Sequence, residues 1–376
     1  MSTQIGQKKL TRMVGREYGL ALGNATTGLY CAMQAAGLEG VNIAIPYNVC
    51  PSVVLAVLFS GNTPLFVDIE VATNSMNPSQ LREVAKQVKG VIAVHTYGAI
   101  GKMQEIRDIC SEHSLFLIED CAQSLGAESN GYPAGCHGAA AIYSFGKGKI
   151  IDVGHGGMVV TDDTDLFKEM QKVAGRLNHA NDEKRERIAE FNDLHTMLYN
   201  RFFRHDISRF SFVFQTLARQ CKNAFLQTFD SKYEDAILTA VAHLPQNIEC
   251  RRQKAEIFKF YCKANDISFF DPPSGSVFWR FNVYIKHGRD RVLRTLLSEN
   301  AKISSWYPSV DQFFYETGDV KTRKLWADRI GEEILNLWVN EEVDEAYCRE
   351  IIERIVCFVE QSRTEMLASS GETSWR

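Results

Sequence analysis

Leu115-Phe-Leu-Ile-Glu-Asp-Cys-Ala-Gln-Ser-Leu-Gly126 reads as an apolar strand that ends abruptly in two carboxylates, with the amide of Gln123 just beyond. Its apolar residues run on without a polar alternation, as expected of a strand covered on both faces. Similar runs recur at Val41–Pro46, Leu65–Asp68, Val91–Val94, Ala139–Phe145 and Gly157–Thr161. Helical patterns lie between them at Thr27–Ala36, Ser52–Ser60, Pro78–Val88, Lys102–Ser114 and Thr164–Gly175. This alternation predicts an α/β fold, a mostly parallel sheet flanked by helices. In such sheets ligands bind beyond the carboxyl ends of the strands. Asp120 and the loop Gly146–Gly157 fall there.

Past residue 176 the pattern changes. Residues 177–195 are polar, with Glu and Arg mixed at helical spacing, and Met197–Phe229 is aromatic and basic. A long helix is predicted from Tyr233 to about Lys263. A strand at Trp279–Ile285 and helices at Arg289–Glu299 and Glu345–Gln361 follow; the last puts Tyr347, Ile351, Ile355 and Phe358 on one stripe. Two domains are expected, a large one over 1–240 and a smaller C-terminal α+β domain over 241–376.

The 376 residues carry 42 basic and 46 acidic side chains, a net charge of −4, which counts against a nucleic-acid binder. Hydrophobic residues make up 45% and charged residues 23%, as in an ordinary globular chain. The ten cysteines form no Cys-x-x-Cys pair, so no zinc site is expected, and scattered thiols suit a reducing cytoplasm. Met1–Gly23 lacks the apolar core of a signal peptide, and the apolar run near Val53–Phe59 is too short to span a bilayer.

A second segment, Ala141-Ile-Tyr-Ser-Phe-Gly-Lys-Gly-Lys149, runs from a strand into two glycine-flanked lysines and on through Asp152-Val-Gly-His-Gly-Gly157. Alone it could be a solvated basic loop. It is no P-loop, because Ala141 and Tyr143 stand where the leading glycine belongs and no Ser or Thr follows either lysine. Gly154-His-Gly-Gly-Met-Val fails the dinucleotide spacing as well. A lysine and a strand-end acid together do meet the needs of pyridoxal phosphate, which takes a lysine at its aldehyde and an acid at its pyridine nitrogen. Asn24-Ala-Thr-Thr-Gly28, entering a helix, could cradle the phosphate, though an ordinary N-cap reads the same way.

With these stretches in view, the chain resembles the DegT/DnrJ/EryC1/StrS family of sugar aminotransferases, of the aspartate-aminotransferase fold (fold type I). The resemblance rests on Gly23-Asn-Ala-Thr-Thr-Gly-Leu, Ile45-Pro-Tyr-Asn-Val-Cys-Pro, Pro64-Leu-Phe-Val-Asp68, Val94-His-Thr-Tyr-Gly98, Glu119-Asp-Cys-Ala-Gln123 and Ser144 through Gly157. A weaker match continues at Arg251-Arg-Gln-Lys-Ala-Glu and Trp306-Tyr-Pro308. It implies that Lys149 carries pyridoxal phosphate as a Schiff base, with Asp120 at the pyridine nitrogen and Gln123 at the ring's 3-oxygen. It further implies Ser144 and the Thr26/Thr27 turn at the phosphate, and Cys50 where many members stack an aromatic. His95, Lys147 and His155 are the candidate substrate contacts. The implied reaction moves an amino group, from glutamate, onto a nucleotide-linked keto sugar in amino-sugar, surface-glycan or antibiotic biosynthesis. A homodimer with active sites at the subunit interface is implied too.

The sequence departs from the family at three places. The arm ahead of the first glycine turn is short, and His155 stands where an acid or glycine is common. The family's Asn-Tyr-Arg-Met-like stretch, whose asparagine reaches the partner subunit's phosphate, is absent. The aromatic, basic segment 197–229 takes its place, either as a buried cover or dimer interface or as an element touching an anionic membrane surface. A non-catalytic regulator that kept the fold, and a sugar dehydratase, are the competing functions. In the dehydratase variant a histidine replaces the lysine, so Lys149 counts against it.

Overall fold

The computed structural model describes residues 8, 10–202, 211–315 and 325–370. Seven strands build the main sheet: β1 (Tyr18–Leu22), β2 (Asn42–Pro46), β3 (Thr63–Val67), β4 (Gly90–Val94), β5 (Phe116–Asp120), β6 (Ala140–Ser144) and β7 (Gly157–Thr161). Their order across the sheet is β1-β7-β6-β5-β4-β2-β3. The run from β3 to β6 is parallel, whereas β7 pairs antiparallel with both β6 and β1.

Strand alternation divides the core in two. Ile43, Ile45, Ile92, Val94, Ile118, Ile142 and Val159 face one side. There they meet α1 (Ala25–Ala35), α2 (Pro51–Phe59), α5 (Thr164–Ala174) and the pair α6 (Asp182–Phe202) and α7 (Ser211–Phe225). Ala44, Val91, Ala93, Leu117, Ala141, Tyr143, Met158 and Val160 face the other side. They meet α3 (Pro78–Val84), α4 (Met103–Glu112), α8 (Glu234–Ala242) and the start of α9 (Leu244–Ala264). Each fully buried aliphatic or aromatic side chain contributes about 1.5–3 kcal/mol. Both faces being covered explains why these strands show no polar alternation in the sequence.

A second sheet follows, ordered β8-β9-β11-β10, from β8 (Ser268–Phe269), β9 (Phe281–Tyr284), β10 (Ile303–Ser304) and β11 (Ile334–Leu337). It packs with α9, α10 (Arg289–Ser298) and α12 (Glu345–Ser370) around Phe258, Phe281, Val292, Leu296, Ile351 and Ile355. Helix α11 (Trp326–Glu333) precedes β11, and its first N–H groups, at Trp326 and Ala327, donate to Asp68 at the end of β3.

Two readings need correction. The single helix expected over 233–263 is two, α8 and α9, because Pro245 begins a new helix: it has no N–H to continue the old one. Strand β1 was not anticipated at all. In the aromatic segment, Phe214 and Phe225 are buried, Phe212 stands exposed, and 203–210 lie outside the described residues. No described helix is long and apolar enough to cross a membrane.

Candidate active site

The carboxyl ends of β5 and β6 place the acid and the hydroxyl. Ile142 sits opposite Asp120 in the parallel register, so Asp120 and Ser144 emerge on the face that α1 covers. Helix α1 can lie close because two residues are glycine. A Cβ on Gly28 would stand 3.1 Å from Ile142 Cγ2, and one on Gly157 would stand 2.5 Å from the Ala25 nitrogen. Asn24 caps the helix, its Oδ1 accepting from the Thr27 N–H at 2.9 Å.

A cavity of about 590 Å³ opens there. Asp120, Ser144, Lys149, Thr26 and Cys50 all line it, as do Lys147 and His155. Asp120 is buried, and its Oδ1 accepts the Ala122 N–H at 2.9 Å. Burial pushes its carboxyl above the usual range, while that hydrogen bond and the charges of Lys149 and His95 pull it back only in part. Lys149 rides on a braced loop. Gly148 holds a φ of +76°, and its N–H and that of Gly154 donate to the two oxygens of Asp152. From the second sheet's side, the Trp279 indole N–H donates to the Gly148 carbonyl at 2.6 Å.

Three expected site residues lie around the cavity without lining it. Thr27 is fully buried, its hydroxyl 2.7 Å from the Phe225 carbonyl, so it ties α1 to α7. Gln123 accepts the Tyr97 N–H at 2.7 Å and donates to the Tyr307 hydroxyl at 2.7 Å, which steadies a ring that does line the cavity. His95 is buried behind Asp120, 3.0 Å from Glu119. Glu119 also takes the N–H groups of Gly135, His137 and Gly138. Burial pushes the Glu119 carboxyl up, but His95 and the backbone donors outweigh it and hold the group below its usual range. His95, Glu119 and Cys121 crowd together within 4.8 Å, yet the carboxylate is already spent on its hydrogen bonds.

Sequence reasoning missed the opposite wall. Arg185, Ile188, Asn192, Asp193 and Thr196 present one face of α6 to the cavity, beside the buried His195. The spacing of Arg185, Ile188, Asn192 and Thr196 by three and four was a usable signal. His195 stacks on Trp306 with ring centroids 5.2 Å apart, and burial pushes its pKa down to about 3. His155 packs 4.8 Å from the Tyr233 ring. Burial first, then the Arg185 charge, lower it to about 4. The Tyr199 hydroxyl donates to the Ser305 carbonyl at 2.6 Å and the Tyr97 hydroxyl to that of Trp306 at 2.8 Å, fixing the strand of chain that carries Tyr307.

The chain is 35% identical over 148 residues to the GDP-perosamine synthase of Vibrio cholerae, a stretch that covers 39% of this chain and 40% of that protein. It thus spans about two fifths of the length of that curated relative. Among solved structures, DesI in the presence of its TDP-sugar product superposes with a TM-score of 0.77 at 20% identity, covering 98% of this chain and 87% of DesI. The ntda protein of Bacillus subtilis, solved with bound cofactor PMP, superposes with a TM-score of 0.72 at 18% identity, covering 97% and 77%. These likenesses establish the fold, the one the sequence resemblance implied. The profile of the DegT/DnrJ/EryC1/StrS aminotransferase family matches residues 6–194, half of the sequence, and the chain belongs to that family.

Proposed function

We propose that this chain is a pyridoxal-phosphate-dependent aminotransferase that moves an amino group from glutamate onto a nucleotide-linked keto sugar. The observation that carries this reading is the convergence of Lys149 and the buried Asp120 on one cavity, at the first turn of α1. The donor set suits the cofactor: an amine for its aldehyde, a carboxylate for its ring N–H, and hydroxyls with helix N–H groups for its phosphate. The missing Cβ atoms of Gly157 and Gly28 leave that first turn close to the strand ends.

Bound here, pyridoxal phosphate supplies an electron sink for the carbon that gains or loses the amino group. The chain supplies the rest. Asp120 would accept the ring N–H, and because burial disfavours its carboxylate, a cation opposite it would stabilise that form. Ser144 and Thr26 would offer hydroxyls to the phosphate, and Cys50, in the same cavity wall, would offer a thiol to pack on the ring. The Lys149 Nζ holds the cofactor and, once free, takes and returns the proton of the amino-bearing carbon. Trp279 and Tyr307 are buried in the cavity wall and offer it aromatic surface. A cavity of this volume fits a sugar-sized ligand, and Lys147 and Arg185 on its walls suit an anionic carrier. The ten free thiols support a reducing compartment, and the resemblance supports a homodimer.

The test is borohydride reduction of the purified protein with pyridoxal phosphate, followed by peptide mass spectrometry. A reduced adduct is expected on Lys149, absent from Lys149→Ala, together with ping-pong kinetics for glutamate and a nucleotide-linked keto sugar. Folded wild-type protein with no adduct on Lys149 overturns the reading.

A further inference from the structure

His195 is only 7% exposed, and among the described residues its Nε2 has no hydrogen-bond partner. A polar nitrogen buried bare carries the cost of desolvation, so such atoms are uncommon and call for a cause. The ring stands in the α6 wall of the cavity. Its described ring neighbours are aromatic: Phe313, Trp306 and Phe214, with centroids 4.6, 5.2 and 5.6 Å away. The phenylalanines offer the nitrogen no partner. Trp306 lies face to face with the imidazole, at 17°, so the indole N–H in its own ring plane is not directed at it. The helix is pinned on either side of this residue, by Arg185 on Asp230 at 3.0 Å and by the Tyr199 hydroxyl on the Ser305 carbonyl at 2.6 Å. Burial is what holds the imidazole uncharged, and no charged side chain acts on it. A carboxylate or phosphate brought here would find no counter-charge, whereas a hydroxyl needs none. A hydroxyl also suits either tautomer, since it can donate to the bare nitrogen or accept from it.

We propose that His195 is a specificity-determining residue for the acceptor, its Nε2 sharing a hydrogen bond with a hydroxyl of the keto sugar. The assignment rests on the aminotransferase reading above and concerns one of its two substrates. Both substrates use the same cavity in turn, but their chemistry differs. Glutamate carries two carboxylates and no hydroxyl, whereas a sugar ring carries several hydroxyls. A neutral imidazole in an aromatic setting therefore favours the second without serving the first.

Ping-pong kinetics provide the test, because kcat/KM for each substrate then reports its own half-reaction. The acceptor is chosen as the best substrate of wild type from a panel of GDP-, TDP- and UDP-linked keto hexoses. Values of kcat/KM for that sugar and for glutamate are measured on holoenzyme of wild type, His195→Phe and His195→Leu. Phenylalanine keeps a ring against Trp306 without the nitrogens, and leucine removes the ring as well. A sugar hydroxyl left unpaired predicts roughly 5- to 100-fold lower kcat/KM for the keto sugar in both variants. The value for glutamate should change by less than about 2-fold, which a merely structural role would not allow. Equal losses for the two substrates, or none for the keto sugar, overturn the assignment. Melting checks that each variant is folded; either folded variant alone decides the question, and failure of both to fold shows a structural role and overturns it too. Wild type separates the two levels. A Lys149 adduct and sugar turnover there, with unchanged His195 variants, sink the His195 role alone. No adduct, or no sugar of the panel aminated, sinks the aminotransferase reading with it.

Discussion

Glu119 shows how much of this site is held from behind. Its two oxygens receive three backbone N–H groups and the His95 ring, so the carboxylate fixes the 135–138 loop while the next residue, Asp120, faces the cavity. In Glu119→Gln the new NH₂ must meet at least one N–H donor, whichever way the amide turns. A loss of about 3 kcal/mol of unfolding free energy is expected in urea. A loss below about 1 kcal/mol would show that the loop does not depend on that charge. At this scale the sequence was partly legible. Asp120 and the two glycine-flanked lysines stood out as local signals, a strand end and a loop, whereas Ser144 and the choice of Lys149 came from the family resemblance. His195 stood out in neither way, because nothing in Asp193-Leu-His-Thr196 marks it, and only its packing among aromatic rings reveals a buried nitrogen without a partner.

Helix α1 and strand β7 meet more closely than side chains allow. At Gly157→Ala the new methyl would sit 2.5 Å from the Ala25 nitrogen and 2.6 Å from the Asn24 carbonyl carbon, both backbone atoms that cannot swing aside. We expect about 2–3 kcal/mol of destabilisation, read by denaturant melting, and weaker pyridoxal phosphate binding as α1 is pushed from the strand ends. Gly146→Ala is the control, since its nearest neighbour, Ser144 Oγ, stands at 3.6 Å; equal losses for the two variants would dismiss the close approach as the cause. The six strands β2 to β7 were readable from runs of apolar residues. Strand β1 was not, since Gly19 interrupts Tyr18–Leu22 and glycine weakens a strand pattern. The reason lies elsewhere in the fold: a Cβ on Gly19 would stand 2.4 Å from Thr11 Cγ2.

For the whole molecule, two buried histidines contribute to the response to acid. His155 and His195 are held to about 4 and about 3, against the ordinary 6.5, so the folded chain stays unprotonated where the unfolded chain takes up protons. The unfolded state thus binds more protons as pH falls from 6.5 toward 4, and stability drops across that window by up to about 1.4 kcal/mol per pH unit for each proton. His155→Phe keeps a ring against Tyr233 and removes one proton from the balance. Its unfolding free energy, followed from pH 7 to 4, should fall less steeply than that of wild type. Parallel slopes would mean that His155 titrates normally in the folded chain. Domain-scale alternation was legible in the sequence, whereas the contact between the two sheets was not, because it depends on side chains far apart in the chain.

That contact has a consequence for biosynthesis. The indole of Trp279 clasps the loop of Lys149, and Tyr307, held by Gln123, forms part of the cavity wall. A nascent chain folds from its N-terminus, so the main sheet can form while the lysine loop still lacks its clasp. The pocket matures only when the later half emerges and docks. A ribosome stalled between the two would display a well-folded sheet with an unbraced lysine, and cofactor capture would mark the end of synthesis rather than its middle.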